Sequence, residues 1–262
     1  MALNGRLKTM IAGCWDATIG SARRGPKLTI LYYHAVAGRH AAAFEQQMRY
    51  LKDHCNVVAA DHEGPLATNR ANVAITFDDA FQSVGDHAVP VLARHGLPAT
   101  IFVPTGWLGR PPGWQMETDD DRVETVMSAA QIAALPRDLI AIGSHTVDHP
   151  RLSQLTPDEQ FGQLATSRAA LQTMMGHDVD TLAFPYGDYD AGVVDQARAA
   201  GYRFIYTVFP QSIAAGDSTP LRGRTAADPA DPMHLFMLKA RGAFEWMPLA
   251  SRLKHMVRPV RP

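Results

Sequence analysis

Thr76-Phe77-Asp78-Asp79 closes an apolar run, and His145-Thr146-Val147-Asp148-His149 follows later in the chain. Two adjacent carboxylates and two imidazoles four residues apart supply three metal ligands with one carboxylate left over. Asp79, His145 and His149 suit a hard-to-borderline divalent ion. Three protein ligands leave a coordination position for water, which is the arrangement of a catalytic rather than a structural site. Such an ion acidifies its water and polarises a carbonyl, and Asp78 is then placed to take the water's proton. Zinc is the default for a His/His/Asp set, with cobalt, nickel or manganese able to replace it. The chemistry implied is metal-assisted hydrolysis.

These residues need elements to hold them. Leu28 to Val36 and Val73 to Phe77 read as buried strands, the second ending at the paired aspartates. Consecutive strand side chains point to opposite faces, so both aspartates reach one site only if the strand ends or bends there. Ala80 to His95 reads as a helix closed by Gly96. Ala99 to Val103, Leu139 to Ile142, Thr181 to Phe184 and Phe204 to Phe209 read as further strands. Helices are expected over Phe44 to Lys52, Ser128 to Leu135, Thr156 to Met175, Ala191 to Ala200 and Asp231 to Ala240. Strands alternating with helices imply a mainly parallel α/β sheet. His34, Asp78, Asp79, His145 and Tyr186 all fall where strands end, and active sites of parallel sheets and barrels lie at those ends. Pro104 to Val126 reads as a solvated insertion loop. Its Trp107 and Trp114 suit sugar stacking, and its Asp119-Asp120-Asp121 run suits an amine.

The 262 residues are 46% hydrophobic, enough for a large core, and no apolar run is long enough to span a bilayer. No secretory signal is read, and Cys14 and Cys55 fit packing in a reducing compartment. Net charge is −1, unevenly spread: residues 1–27 and 240–262 each carry +4, so the middle carries −9. The acidic body argues against a nucleic-acid partner. Apolar Phe244, Trp246, Leu249 and Leu253 near the C-terminus are expected to pack against the barrel, with peripheral contact of the basic ends with an anionic membrane surface as the alternative.

TFDD, then SHTVDHPRL, then FPYG resemble the first three motifs of the polysaccharide deacetylases, carbohydrate esterase family 4, over about residues 28 to 225. The resemblance implies a distorted (β/α) barrel of about seven parallel strands. It also implies that Asp78 is the base and that Asp79, His145 and His149 are the metal ligands. Two positions depart from the pattern. Ala183 stands where the family has an arginine that orients the catalytic aspartate. Arg222 and Arg224 are candidates to replace it, and with Tyr186 they make up the expected oxyanion and substrate group. The family's C-terminal acid histidine is missing too. Leu31-Tyr32-Tyr33-His34-Ala35-Val36 resembles the first strand of a circularly permuted branch that includes poly-β-1,6-N-acetylglucosamine deacetylases, which makes His34 the acid.

The expectation is an N-terminal basic extension (1–27), a catalytic domain (28–240) and a C-terminal basic and apolar extension (241–262). The expected activity removes N-linked acetyl groups from an amino sugar of a surface polysaccharide, lipopolysaccharide or glycolipid precursor, in the cytoplasm or at the inner face of the membrane. The alternatives are a non-sugar C–N hydrolase and an inactive carbohydrate-binding relative.

Overall fold

Apolar residues with β-branched and aromatic members fill Lys27–Tyr33, and this run forms the first strand, β1. The computed structural model describes residues 5–17, 25–116 and 118–247. Among them a sheet of ten strands continues with β2 (Cys55–Val57), β3 (Ala71–Phe77), β4 (Ala99–Val103), β5 (Ile140–Ser144), β6 (Thr181–Ala183), β7 (Phe204–Tyr206), β8 (Ile213–Ala214), β9 (Leu221–Arg222) and β10 (Thr225–Ala226). The helices are α1 (Gly5–Trp15), α2 (Ala41–His54), α3 (Val89–His95), α4 (Asp119–Arg122), α5 (Ala129–Ala133), α6 (Pro157–Met175), α7 (Ala191–Ala199) and α8 (Met233–Ala240).

The strands run in the order β10-β1-β3-β4-β5-β6-β7-β9, all pairs parallel, with β2 on the first half of β3 and β8 antiparallel to β1. The two ends of this path, β9 and β10, are separated in the chain by Gly223 and Arg224 alone. One short segment therefore nearly closes the sheet into a barrel. Counted as one closing strand, it makes seven with β1 and β3 to β7, the barrel that the family resemblance implies.

The two-residue period of the strands sorts their side chains. Leu31, Tyr33, Val73, Ile75, Phe77, Ile101 and Val103 join the large core under the helices. Leu28, Ile30, Ala74, Phe102, Ala183 and Tyr206 pack together in a separate cluster on the other side of the strands. Tyr32 and His34 continue the second series along β1, as Thr76 and Asp78 do along β3. The site thus sits above an apolar barrel filling, at the C-terminal strand ends.

Local chemistry explains most helix limits. Thr156 and Glu159 form the expected capping box, Pro157 opens α6, and Gly176 closes it in the left-handed conformation. The helix expected from Ala80 begins only after Phe81 and contains a π turn over Val84–Ala88. Asp79 and Ala80 have left-handed backbone, which no helix can include. The strand expected to Phe209 ends at Tyr206. The pieces β2, β8, β9 and β10 are too short to leave a periodic signal.

In the expected N-terminal extension lies α1, whose Ala12 packs with Ala243 and Phe244. Phe244 and Trp246 of the expected C-terminal extension are buried. Residues 248–262, including Leu249 and Leu253, lie outside the described residues.

Candidate metal centre and active site

Asp78 still belongs to the ladder of β3, its N–H donating to the Tyr33 carbonyl at 2.9 Å. At Asp79 the chain turns left-handed, with φ 66°, and Ala80 follows with φ 51°. That turn places two consecutive carboxylates in one pocket. The His145–His149 segment starts one residue past β5, where the His145 N–H donates to the Val103 carbonyl at 2.9 Å. Thr146 and His149 also have positive φ, as does Tyr186. Among the described residues, every non-glycine residue with positive φ lies in these site segments, where such strain commonly concentrates.

The histidine segment is not a helix surface but a loop strapped from two sides. Thr105 and Gly106 donate their N–H groups to the carbonyls of Thr146 and Val147. A Cβ at Gly106 would lie 2.8 Å from the Val147 oxygen, so this approach requires glycine. From α6, Gln163 accepts from the Val147 and Asp148 N–H groups at 3.1 and 2.9 Å and donates to the Asp148 carboxylate at 2.7 Å. Nothing in the spacing marked Gln163 for this role.

Asp79, His145 and His149 bring their ligand atoms within 4.8 Å of one another, all three residues buried. His145 Nε2 lies 3.5 Å and His149 Nε2 3.3 Å from Asp79 Oδ1. His145 donates Nδ1–H to the Ala183 carbonyl at 2.8 Å, which leaves the Nε2 lone pair facing Asp79. Asp79 Oδ1 is buried without a hydrogen bond. Burial pushes the His145 pKa down to about 4, against the charges of Asp78 and Asp79. A neutral imidazole and an orphaned carboxylate oxygen converging among buried side chains are what a divalent cation needs, so the residues present fit a metal.

Asp78 is held differently. Arg224, wholly buried, donates Nη1–H to Oδ1 at 2.6 Å and Nη2–H to Oδ2 at 2.8 Å. Its Nε–H goes to the Thr207 carbonyl at 3.1 Å, and its guanidinium lies over the Tyr32 ring at 4.7 Å. Burial alone would raise the Asp78 pKa, but the Arg224 charge and hydrogen bonds, helped by His145 and His34, hold it down to about 2. Arg222 does not join the site. It donates to the Ala60 carbonyl at 2.7 Å and lies over the Phe204 ring.

Half-buried His34 follows β1 and lines one cleft with Tyr32, Asp78, Asp79, His145, His149, Tyr186 and Val208. The remaining wall comes from the segment expected to be a solvated loop: Trp114, Gln115, Met116 and Asp121. Trp114 stacks on His149, with ring centroids 4.4 Å apart and planes at 19°. Its indole is thus turned to a ligand ring. Asp121 is buried, and burial raises its pKa. Asp119 and Asp120 are turned outward, Asp120 pairing with Arg39. The acidic run hinted at Asp121 and the loop aromatics at Trp114, though for sugar stacking rather than for contact with His149; Gln163 carried no distinguishing signal.

A family model described as polysaccharide deacetylase matches residues 66–205. The Bacillus subtilis (strain 168) protein YxkH is 28% identical over 195 residues, which is 70% of this chain and 65% of YxkH. The peptidoglycan-N-acetylglucosamine deacetylase PgdA of Listeria monocytogenes is 26% identical over 51% of this chain and 25% of its own length. The chain therefore spans less than two thirds of each of these relatives. Among solved structures, IcaB from Ammonifex degensii is 26% identical, covering 84% of this chain and 98% of that chain with a TM-score of 0.69. The Streptococcus pyogenes deacetylase PplD has the same fold at 22% identity and a TM-score of 0.66, over 82% of this chain and 99% of that one.

Proposed function

The chain belongs to the polysaccharide deacetylase family, and on that premise we propose that it is a metal-dependent hydrolase removing N-linked acetyl groups from an amino sugar. The observation that carries this reading is the convergence of Asp79, His145 and His149 around an oxygen with no hydrogen bond, beside an aspartate clamped by arginine. Those three residues would hold the ion. When bound, it would polarise the acyl carbonyl and acidify the attacking water, which lets so weak a base as Asp78 accept the proton. Arg224 keeps Asp78 ionised and fixes its direction through two parallel hydrogen bonds.

His34 shares the cleft with the aspartates and is the group proposed to protonate the leaving amine. The Tyr186 N–H is proposed to donate to the developing oxyanion. Arg224 acts through Asp78 rather than on substrate, and Arg222 has no part in the reaction.

The substrate proposed is an N-acetylated amino sugar within a surface polysaccharide, lipopolysaccharide or glycolipid precursor. The names of PgdA and of the chitin deacetylase of Colletotrichum lindemuthianum support the sugar class. His34, one residue past β1, opens into the cleft that holds Asp78 and Asp79, which supports a site that draws on the first strand. Acetate release from N-acetylated glycans, set beside a panel of simple amides, tests the assignment. Turnover confined to the amides would replace it with a non-sugar C–N hydrolase. Contact with an anionic membrane surface is proposed from the basic ends of the chain.

A further inference from the structure

The two histidines of the proposed metal centre are oriented by different means. His145 is fixed by a hydrogen bond from Nδ1 to the Ala183 carbonyl. His149 Nδ1 is buried and has no hydrogen-bond partner. Its ring is instead boxed in by aromatic neighbours. Trp114 lies nearly parallel at 4.4 Å, while Tyr186 meets it edge-on at 4.6 Å and 76°. Trp107 in turn braces Trp114 edge-on at 5.5 Å.

We infer that Trp114 is a positioning residue for the metal: it replaces the hydrogen bond that normally fixes a ligating imidazole. This rests on the proposed metal centre. A histidine ring rotates about χ2 unless something selects its plane, and an outer partner usually does so. Here the indole face selects it, and Nε2 consequently points at Asp79. The stacking also responds to occupancy. A ligating imidazole loses electron density to the ion, and an electron-poor ring is held more tightly against the electron-rich indole face. Trp114 and the ion therefore stabilise each other's placement.

Trp114 comes from the segment between β4 and α5 whose Gln115 and Met116 line the same cleft. Metal binding is thereby coupled to the position of the substrate wall.

The test is a titration of the metal-free full chain with Co2+, read by intrinsic fluorescence and by competition with a chelator. The variants are Trp114→Leu and Trp114→Phe, each checked for folding by circular dichroism. Trp114→Leu is expected to bind roughly 10- to 100-fold more weakly, the usual effect of losing an outer-shell partner, while Trp114→Phe stays within about threefold of wild type. Paramagnetic Co2+ should quench wild-type fluorescence, and Trp114→Phe should lose most of that quenching while keeping its affinity. Unchanged affinity in Trp114→Leu would overturn the inference, as would a Phe variant as weak as the Leu variant. A wild-type protein that binds no metal would overturn the metal centre itself, a distinct result.

Discussion

Arg224 grips Asp78 with two parallel hydrogen bonds, 2.6 and 2.8 Å, and does so from the two-residue link between the strands that close the barrel. Closure of the fold and orientation of the proposed base are thus one event. Ala183 packs in the same cluster as Phe102 and Tyr206, the rings beside which the Arg224 guanidinium lies. A small residue at 183 and a long one at 224 are complementary within one buried layer.

Arg224→Ala should destabilise the fold by roughly 3–5 kcal/mol, because it strands the buried Asp78 carboxylate without its cation. Arg224→Lys should retain more stability yet lose most turnover, since an ammonium cannot make the two-pronged contact. Urea denaturation and acetate release measure the two effects. Equal turnover in the lysine variant would remove the orienting role.

Asp78→Asn and His34→Ala should both keep wild-type metal stoichiometry and lose turnover by about 10²- to 10⁴-fold, the range for a general base or acid. Metal analysis beside initial rates checks each. A His34→Ala enzyme working at the wild-type rate would end the assignment of the acid to the first strand.

The metal-free protein should lose stability as pH falls from 6.5 toward 4. Burial depresses the His145 pKa from 6.5 to about 4, so the unfolded chain takes up the proton first. Stability then declines through that window by an amount on the order of 3 kcal/mol and stops declining on this account below it. Asp78, held near 2 by Arg224, contributes stability above the ordinary carboxylate range that is lost as pH falls toward 2. Urea midpoints across this range check the slope, and His145→Gln should flatten the part between 6.5 and 4.

Membrane contact predicts binding to anionic liposomes that weakens with salt. Phe244 and Trp246 are buried, so the binding should weaken on removing residues 248–262. Binding that this deletion leaves undiminished, or that ignores salt, would contradict the assignment to the C-terminal segment.

The parallel sheet and the ligand triad were legible in the sequence because they rest on local signals, whereas closure of that sheet into a barrel came from the family resemblance alone. Strand periodicity placed Asp78, Asp79, His145 and His34 at strand ends, and the capping residues fixed α6. What escaped were contacts between distant segments. Trp114 on His149, Gln163 on the histidine loop and Asp121 in the cleft each depend on a chain reversal that no spacing records. Arg222 and Arg224 looked equivalent in Leu-Arg-Gly-Arg. Arg222 ends β9 while Arg224 lies in the link after it, so one meets Ala60 and the other Asp78.

The central claim is that Asp79, His145 and His149 hold an ion on which deacetylation depends. Acetate release should therefore be measured for the chelated protein, for the same protein with one equivalent of Zn2+ restored, and for Asp79→Ala. The account predicts no release without metal, recovery near one equivalent, and neither metal binding nor release in the variant. Full release from the chelated protein, or unchanged metal stoichiometry in Asp79→Ala, would contradict it.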